Sequence, residues 1–342
     1  MSTKDKRGNS QPSQTAKIAT ARKLSKLWAK KYVQQHSTSD KTWQSNSPGL
    51  RAVIAQRLLD SLRSVTIQAW AKTEALLCQQ IKRQGINYRL IDPWQITKDT
   101  YSIYEKVLLA YADQVIPERL CLFLASDLGR IRHNYTAIDP RVIAFVSMQF
   151  HYSGQLLLKS LSPQEQATVS VYFQVIDDCL YMPLQRLYKT AANYDHQSLA
   201  LVSLRQLLPD QALIAQQIAT RISDLHPHYH CHSGSLVNPT VKSASIRDVE
   251  MFQIYLWLCV LERSIAPIQQ ELFPLCVMLY PTLNVGWELV RQMIHLLGLE
   301  FGKRLSQQQI SLVLPYFKVL WEMFSPEVFP EPLPVAALEN SA

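Results

Sequence analysis

The sequence predicts an all-α protein, and three observations carry that reading. Apolar residues recur with a helical period almost everywhere, strand-like alternation is scarce, and 342 residues contain only 9 glycines. Hydrophobic residues at 47% and charged residues at 18% are proportions of a globular chain with a real core. The length leaves room for one large or two modest domains. The longest apolar run, residues 254–261, is short and flanked by Asp248, Glu250, Glu262 and Arg263. No membrane-spanning helix is therefore expected.

Residues 1–14 are polar and are expected to be disordered. They lack the apolar segment of a secretory leader, so none is expected. Over 15–35, Ile18, Ala21, Leu24, Leu27 or Trp28, and Tyr32 make an apolar stripe among basic residues. This is a basic amphipathic helix, suited either to packing on the body or to acting as a peripheral arm. Residues 36–48 read as a linker by their Ser, Thr and Asn content. A long helix follows, burying Leu50, Ile54, Leu58, Leu62, Val65, Trp70, Leu76 and Leu77. Helices are expected over about 97–115 and 117–132 by the same periodicity. Asp139-Pro140 opens another helix, and Ser162-Pro163-Gln164-Glu165 is a capping box with proline in the first turn. From Pro326 onward, Pro330, Pro332 and Pro334 exclude a helix and favour an extended tail. The expected divisions are a basic disordered arm with its helix at 1–48, a helical region at 49–140, a domain at 141–325, and the tail at 326–342.

The formal charge of +8 is concentrated at the start. Lys4, Lys6, Arg7, Lys17, Arg22, Lys23, Lys26, Lys30 and Lys31 stand against Asp5 alone in the first 35 residues. Such an arm suits an acidic partner or an anionic surface. Six cysteines without a Cys-x-x-Cys pair fit a reduced cytoplasmic protein, with Cys259 and Cys276 as small core residues. No Gly-x-Ser-x-Gly, P-loop or dinucleotide fingerprint occurs, so no catalysis is expected. Asp177-Asp178 reads as a solvated turn of helix. His226, His228, His230, Cys231 and His232 are weak metal-ligand candidates, since no second ligand pair stands elsewhere. Gly129-Arg130-Ile131-Arg132-His133 is a basic helix end. No helix-turn-helix, zinc-finger or RNA-binding signature accompanies the basic residues, so nucleic acid is the lesser alternative as a partner.

The stretch Ser245-Ile246-Arg247-Asp248 carries a further signal. Arg247, Asp248 and Glu250 fall as Arg-Asp-x-Glu, and Tyr255, Val260-Leu261, Tyr280 and Leu283 continue one register. Upstream stands Leu161-Ser162-Pro163, and downstream Tyr316-Phe317 lies in a final helix at 306–324. Over about residues 142–325 this register resembles the phycobilisome-type globins, the subunits of a light-harvesting antenna. The resemblance implies a globin-like helical domain at 141–325, preceded by an α-helical region. In that family a cysteine directly before Leu-Arg-Asp carries the bilin by a thioether, and here Ser245 stands in its place. A hydroxyl cannot form that bond. The family's Ala-Gly-Asp corner is Glu262-Arg263-Ser264 here, which implies ordinary backbone angles. Residues 251–261 are also more apolar than the family's pigment helix, which favours a filled or partner-covered pocket.

Ser245, Arg247, Asp248 and Tyr255 are then a remnant of a bilin pocket, with no covalent cofactor expected. The resemblance implies a cytoplasmic accessory or assembly protein of the photosynthetic antenna, at or near the thylakoid surface. It would act by binding an antenna-type globin or a second copy of itself. Phe145, Met148, Phe150, Tyr152 and Leu156 are the expected partner-binding residues, being more apolar than one packed face requires. Lys17, Arg22, Lys23, Lys26, Lys30 and Lys31 are the expected basic contact. The alternatives are a non-covalent bilin-binding chaperone or sensor, and a nucleic-acid-binding regulator.

Overall fold

The computed structural model describes residues 12–37 and 48–330. They form α1 (Gln14–Ser37), α2 (Pro48–Arg83), α3 (Pro93–Ala112), α4 (Pro117–Thr136), α5 (Ile143–Lys159), α6 (Pro163–Tyr181), α7 (Leu184–Ala191), α8 (Leu199–Leu207) and α9 (Gln211–Leu225). A two-stranded hairpin, β1 (His230–Cys231) and β2 (Gly234–Ser235), leads into α10 (Pro239–Glu262), α11 (Phe273–Leu279), α12 (Trp287–Arg304) and α13 (Gln307–Met323). The all-α expectation holds, and among the described residues no helix is long and apolar enough to cross a membrane.

Local chemistry sets the helix starts. The Asp92 carboxylate accepts from the backbone of Trp94 and Gln95 ahead of α3. Asp139 caps a single 3-10 turn, Pro140–Val142, before α5. Both Ser162–Glu165 and Ser306–Gln309 close capping boxes, so each serine and the residue three positions on satisfy two otherwise orphan N–H groups. The end of α10 departs from expectation. Arg263 takes a left-handed conformation, φ 52° and ψ 39°. Its N–H bonds Val260 O at 3.4 Å, while Ser264 N–H bonds Cys259 O at 3.1 Å. That is a Schellman closure built on a residue with a Cβ. The left-handed form costs about 1 kcal/mol for such a residue. Arg263→Gly is therefore expected to raise unfolding stability by roughly 0.5–1 kcal/mol in urea titration.

Helix α10 runs through the centre, and residues 251–261 are all buried. A helix apolar on every side belongs in a core. Helix α5 is equally enclosed, with α2 and α6 packed along it and α3 and α4 adding further cover. One hydrophobic core runs from Leu24 on α1 to Phe324 beyond α13, without a break between residues 140 and 141. Residues 326–330 turn back instead of extending, and Phe329 stacks on Trp287 with ring centroids 3.9 Å apart. The rest of the tail, 331–342, lies outside the described residues, as do residues 1–11 and 38–47 of the expected arm and linker.

The described part of that arm is no free arm. Helix α1 packs against α4 and α7, with Leu24, Trp28 and Tyr32 sunk in the core. Leu24, Trp28 and Tyr32 of its apolar stripe are used internally and are not available for insertion into a membrane interface, while Ile18 stays exposed.

Candidate functional site

Asn238 caps α10 by accepting from Thr240 N–H, and Pro239 starts its first turn. The first three turns carry Thr240, Val241, Ala244, Ser245, Arg247 and Asp248 along one wall of a cavity of about 90 Å³. The hairpin places Cys231 at the same cavity, α11 adds Cys276 and Tyr280, and α12 adds Met293. Three of the predicted pocket residues, Ser245, Arg247 and Asp248, thus converge. Tyr255 does not join them. Two turns further along α10, it is buried against the Arg132 guanidinium and the Glu271 carboxylate.

Arg247 divides this cavity from a second, wider cleft of about 550 Å³ between α5, α6 and α10. Its guanidinium lies 3.9 Å from the Tyr181 ring centroid and 3.7 Å from both Asp177 Oδ2 and Asp248 Oδ1. Its Nε has no hydrogen-bond partner among the described residues. Burial pushes the Asp177 carboxyl up to about 6, against the pull of Arg247. Burial also raises Asp248, with Arg247 and the Tyr280 hydroxyl holding it back. His151 lines both spaces, and burial next to Arg247 lowers it to about 4, so it is neutral at physiological pH.

Behind the cleft lies a buried ionic cluster. Lys31 Nζ of α1 stands 2.6 Å from Glu250 Oε2 and 2.8 Å from Asp178 Oδ2, and all three side chains are almost wholly enclosed. The Tyr32 hydroxyl donates to Asp178 at 2.7 Å. Burial pushes Glu250 up to about 7, with Lys31 opposing. The expectation of a solvated Asp177-Asp178 is overturned: Asp178 is core, because α1 covers it and supplies its counter-ion. Lys31 is likewise removed from the expected basic contact surface.

The remaining basic residues of α1 sort by angle. At about 100° per residue, Arg22, Lys23, Lys26 and Lys30 fall within an arc of about 100°, and Lys31 lies opposite Arg22. All four are exposed, whereas Lys17 is half-buried away from the arc. The helix thus presents a basic face on a firmly seated rod.

The expected partner-binding residues are corrected. Phe145, Met148 and Phe150 are buried, because α5 is covered on several sides and uses its apolar surplus inside. Met148 lines the cavity instead. Tyr152 and Leu156 are half-buried against the core. The basic helix end gives up Arg132 to the interior, where it pairs with Glu271 at 3.1 Å.

The histidines are spread along the loop. His226 caps α9 and its Nε2 lies 2.5 Å from Gln292 Oε1, His230 Nδ1 turns to His228 O, and His232 lines the cavity. Among the described residues no group of three or more His, Cys, Asp or Glu is placed to hold a metal ion. No protein-family model matches the chain, and neither curated proteins nor solved structures give a match.

Proposed function

We propose that this chain is a phycobilisome-type globin without covalent pigment, a non-catalytic accessory protein of the photosynthetic antenna that acts by binding an acidic partner. The observation that carries the reading is the basic face of α1: Arg22, Lys23, Lys26 and Lys30 exposed together, on a helix anchored by Leu24, Trp28, Lys31 and Tyr32. A rigid row of like charge favours encounter with an oppositely charged surface. An acidic antenna globin is the partner in this reading, with the anionic thylakoid surface as a further contact.

The pigment-free part rests on Ser245 and on volume. Pockets for drug-sized ligands span about 300–1,000 Å³, and the cavity beside Ser245 holds about 90 Å³. Non-covalent bilin binding is the second reading. It is favoured by Arg247 and Asp248 standing together at that cavity, and by the unpartnered Arg247 Nε.

Co-sedimentation with a purified acidic antenna globin tests the proposal. Binding is expected at 0.1 M salt and to be largely lost at 1 M, as the Debye length falls from about 10 Å to about 3 Å. Salt-insensitive binding, or none, contradicts it. Co-expression with bilin synthesis and a denaturing gel read by zinc fluorescence separates the pigment readings. No band is expected. A band mapping to Cys231 or Cys276, the two thiols at the same cavity, refutes the pigment-free state, and absorbance lost only on denaturation supports the second reading.

A further inference from the structure

The wider cleft lies between α5, α6 and α10, apart from the basic face of α1. Asp177, Asp178 and Glu250 line it. Asp178 is satisfied by Lys31 and Tyr32. Glu250 is not: Lys31 takes Oε2, while Oε1 is buried without a hydrogen-bond partner among the described residues. A buried carboxylate oxygen left unpaired carries a full desolvation cost. Asp177 has Arg247 as its cation, at 3.7 Å, and Arg247 is shared at the same distance with Asp248.

The charges lining this space are Asp177 and Asp178 of α6 and Arg247 and Glu250 of α10, with Lys31 of α1 behind Asp178 and Glu250, and Asp248 across Arg247 at the smaller cavity. His151 of α5 stays neutral above about 4, and burial keeps the Tyr104 hydroxyl of α3 protonated. Four carboxylates thus meet two cations, so the cluster lacks positive charge. A bare metal ion is a poor match, since no group of three ligands converges among the described residues. The volume, about 550 Å³, suits a small organic molecule. Away from the carboxylates the wall combines Phe173, Tyr104 and Leu158 with polar side chains such as Gln155 and Gln216. Such walls take a methylene chain and tolerate a cation over their rings.

We infer that this cleft binds a small organic cation, an ammonium or guanidinium group on an alkyl chain, whose charged head pairs with Glu250 Oε1 and Asp177. The charge-assisted hydrogen bond supplies the missing donor. This inference does not depend on the antenna reading, because none of its residues belongs to the exposed face of α1.

Isothermal titration of the full chain with agmatine, near pH 8 and at low salt, is the test. Butane-1,4-diol serves as the neutral probe. One-site binding of agmatine and none of the diol is expected. Affinity should fall by about tenfold or more in Asp177→Asn and in Glu250→Gln, the loss typical of a charge-assisted contact. It should also fall toward pH 5, as Asp177 and Glu250 take up protons. Circular dichroism checks that each variant is folded. If Glu250→Gln does not fold, the partly exposed Asp177 decides the matter. No heat with agmatine, equal binding of the diol, or undiminished affinity in the folded variants overturns the inference.

Discussion

Lys31→Ala is expected to destabilise the protein by about 3–5 kcal/mol near pH 8, because it leaves two buried carboxylates without their cation. Lys31, Asp178 and Glu250 are each nearly solvent-free, so screening does not reduce the effect as it would at a surface. The deficit should depend on pH with a definite sign. Glu250 sits at about 7 in the folded protein against an ordinary 4.5, chiefly through burial. A carboxyl raised in this way binds protons better folded than unfolded. Its ionised form costs stability above about 7, and that cost is relieved as pH falls toward 4.5. Asp177, raised to about 6, acts in the same direction over 6 to 3.8. His151, lowered to about 4 from 6.5, acts oppositely, losing stability as pH falls below 6.5. Comparing wild type with Lys31→Ala at each pH largely removes the contributions of Asp177 and His151. The remaining deficit should shrink between pH 8 and 5 as Glu250 protonates, and Lys31→Ala with Glu250→Gln should recover part of it. Urea titrations at the two pH values check this, and a deficit unchanged by pH argues against the ionic cluster.

Phe145→Arg is expected to unfold the chain. The side chain is enclosed between helices, and a guanidinium there has no partner, a change in the class that exceeds about 4 kcal/mol. Circular dichroism should show lost helix, and light scattering should show aggregates. A folded, soluble variant with an altered association state would restore α5 as an interface and contradict its central position.

Much of the fold was legible in the chain. Asp139-Pro140, Ser162 and Ser306 mark helix starts through local hydrogen bonds, which depend on a few adjacent residues, whereas α3 begins at Pro93, four residues ahead of the expected 97. Residues 251–261 announce a central helix by being apolar on every side. What the periodicity of α5 could not show was how many neighbours cover it. An apolar surplus reads the same whether a second helix or a second protein lies against it, so Phe145, Met148 and Phe150 were open to either reading. Left-handed Arg263 was hidden for a related reason, since a non-glycine residue takes that conformation only when the surroundings demand it.

The ionic cluster had a signal that was passed over. Lys31 follows Leu24 and Trp28 at helical spacing, on the apolar side of α1. Asp178 stands in the run Val175, Ile176, Cys179 and Leu180 and is buried with them, whereas Asp177 keeps partial exposure. A charge at a buried register position calls for an opposite charge from another element. Which element supplies it is a matter of tertiary packing: Lys31 and Glu250 are separated by 219 positions. For the cavity, Ser245, Arg247 and Asp248 were identifiable as neighbours on one helix, but His151 and Tyr181 come from helices whose approach no local pattern encodes.

The outer face of α1 carries the proposed role, and reversing its charge tests that role directly. Deleting the helix would not serve, since Leu24, Trp28, Lys31 and Tyr32 belong to the interior. Arg22, Lys23, Lys26 and Lys30 are exposed, so changing all four to Glu leaves the buried side intact. The measurement is the dissociation constant for a purified acidic antenna globin at 0.1 M salt, with anionic vesicles and duplex DNA as parallel ligands. The wild type should bind the globin, and the folded fourfold variant should bind at least about a hundredfold more weakly, a loss of about 3 kcal/mol. Equal affinity of the two proteins, or binding confined to DNA, would contradict the proposed role.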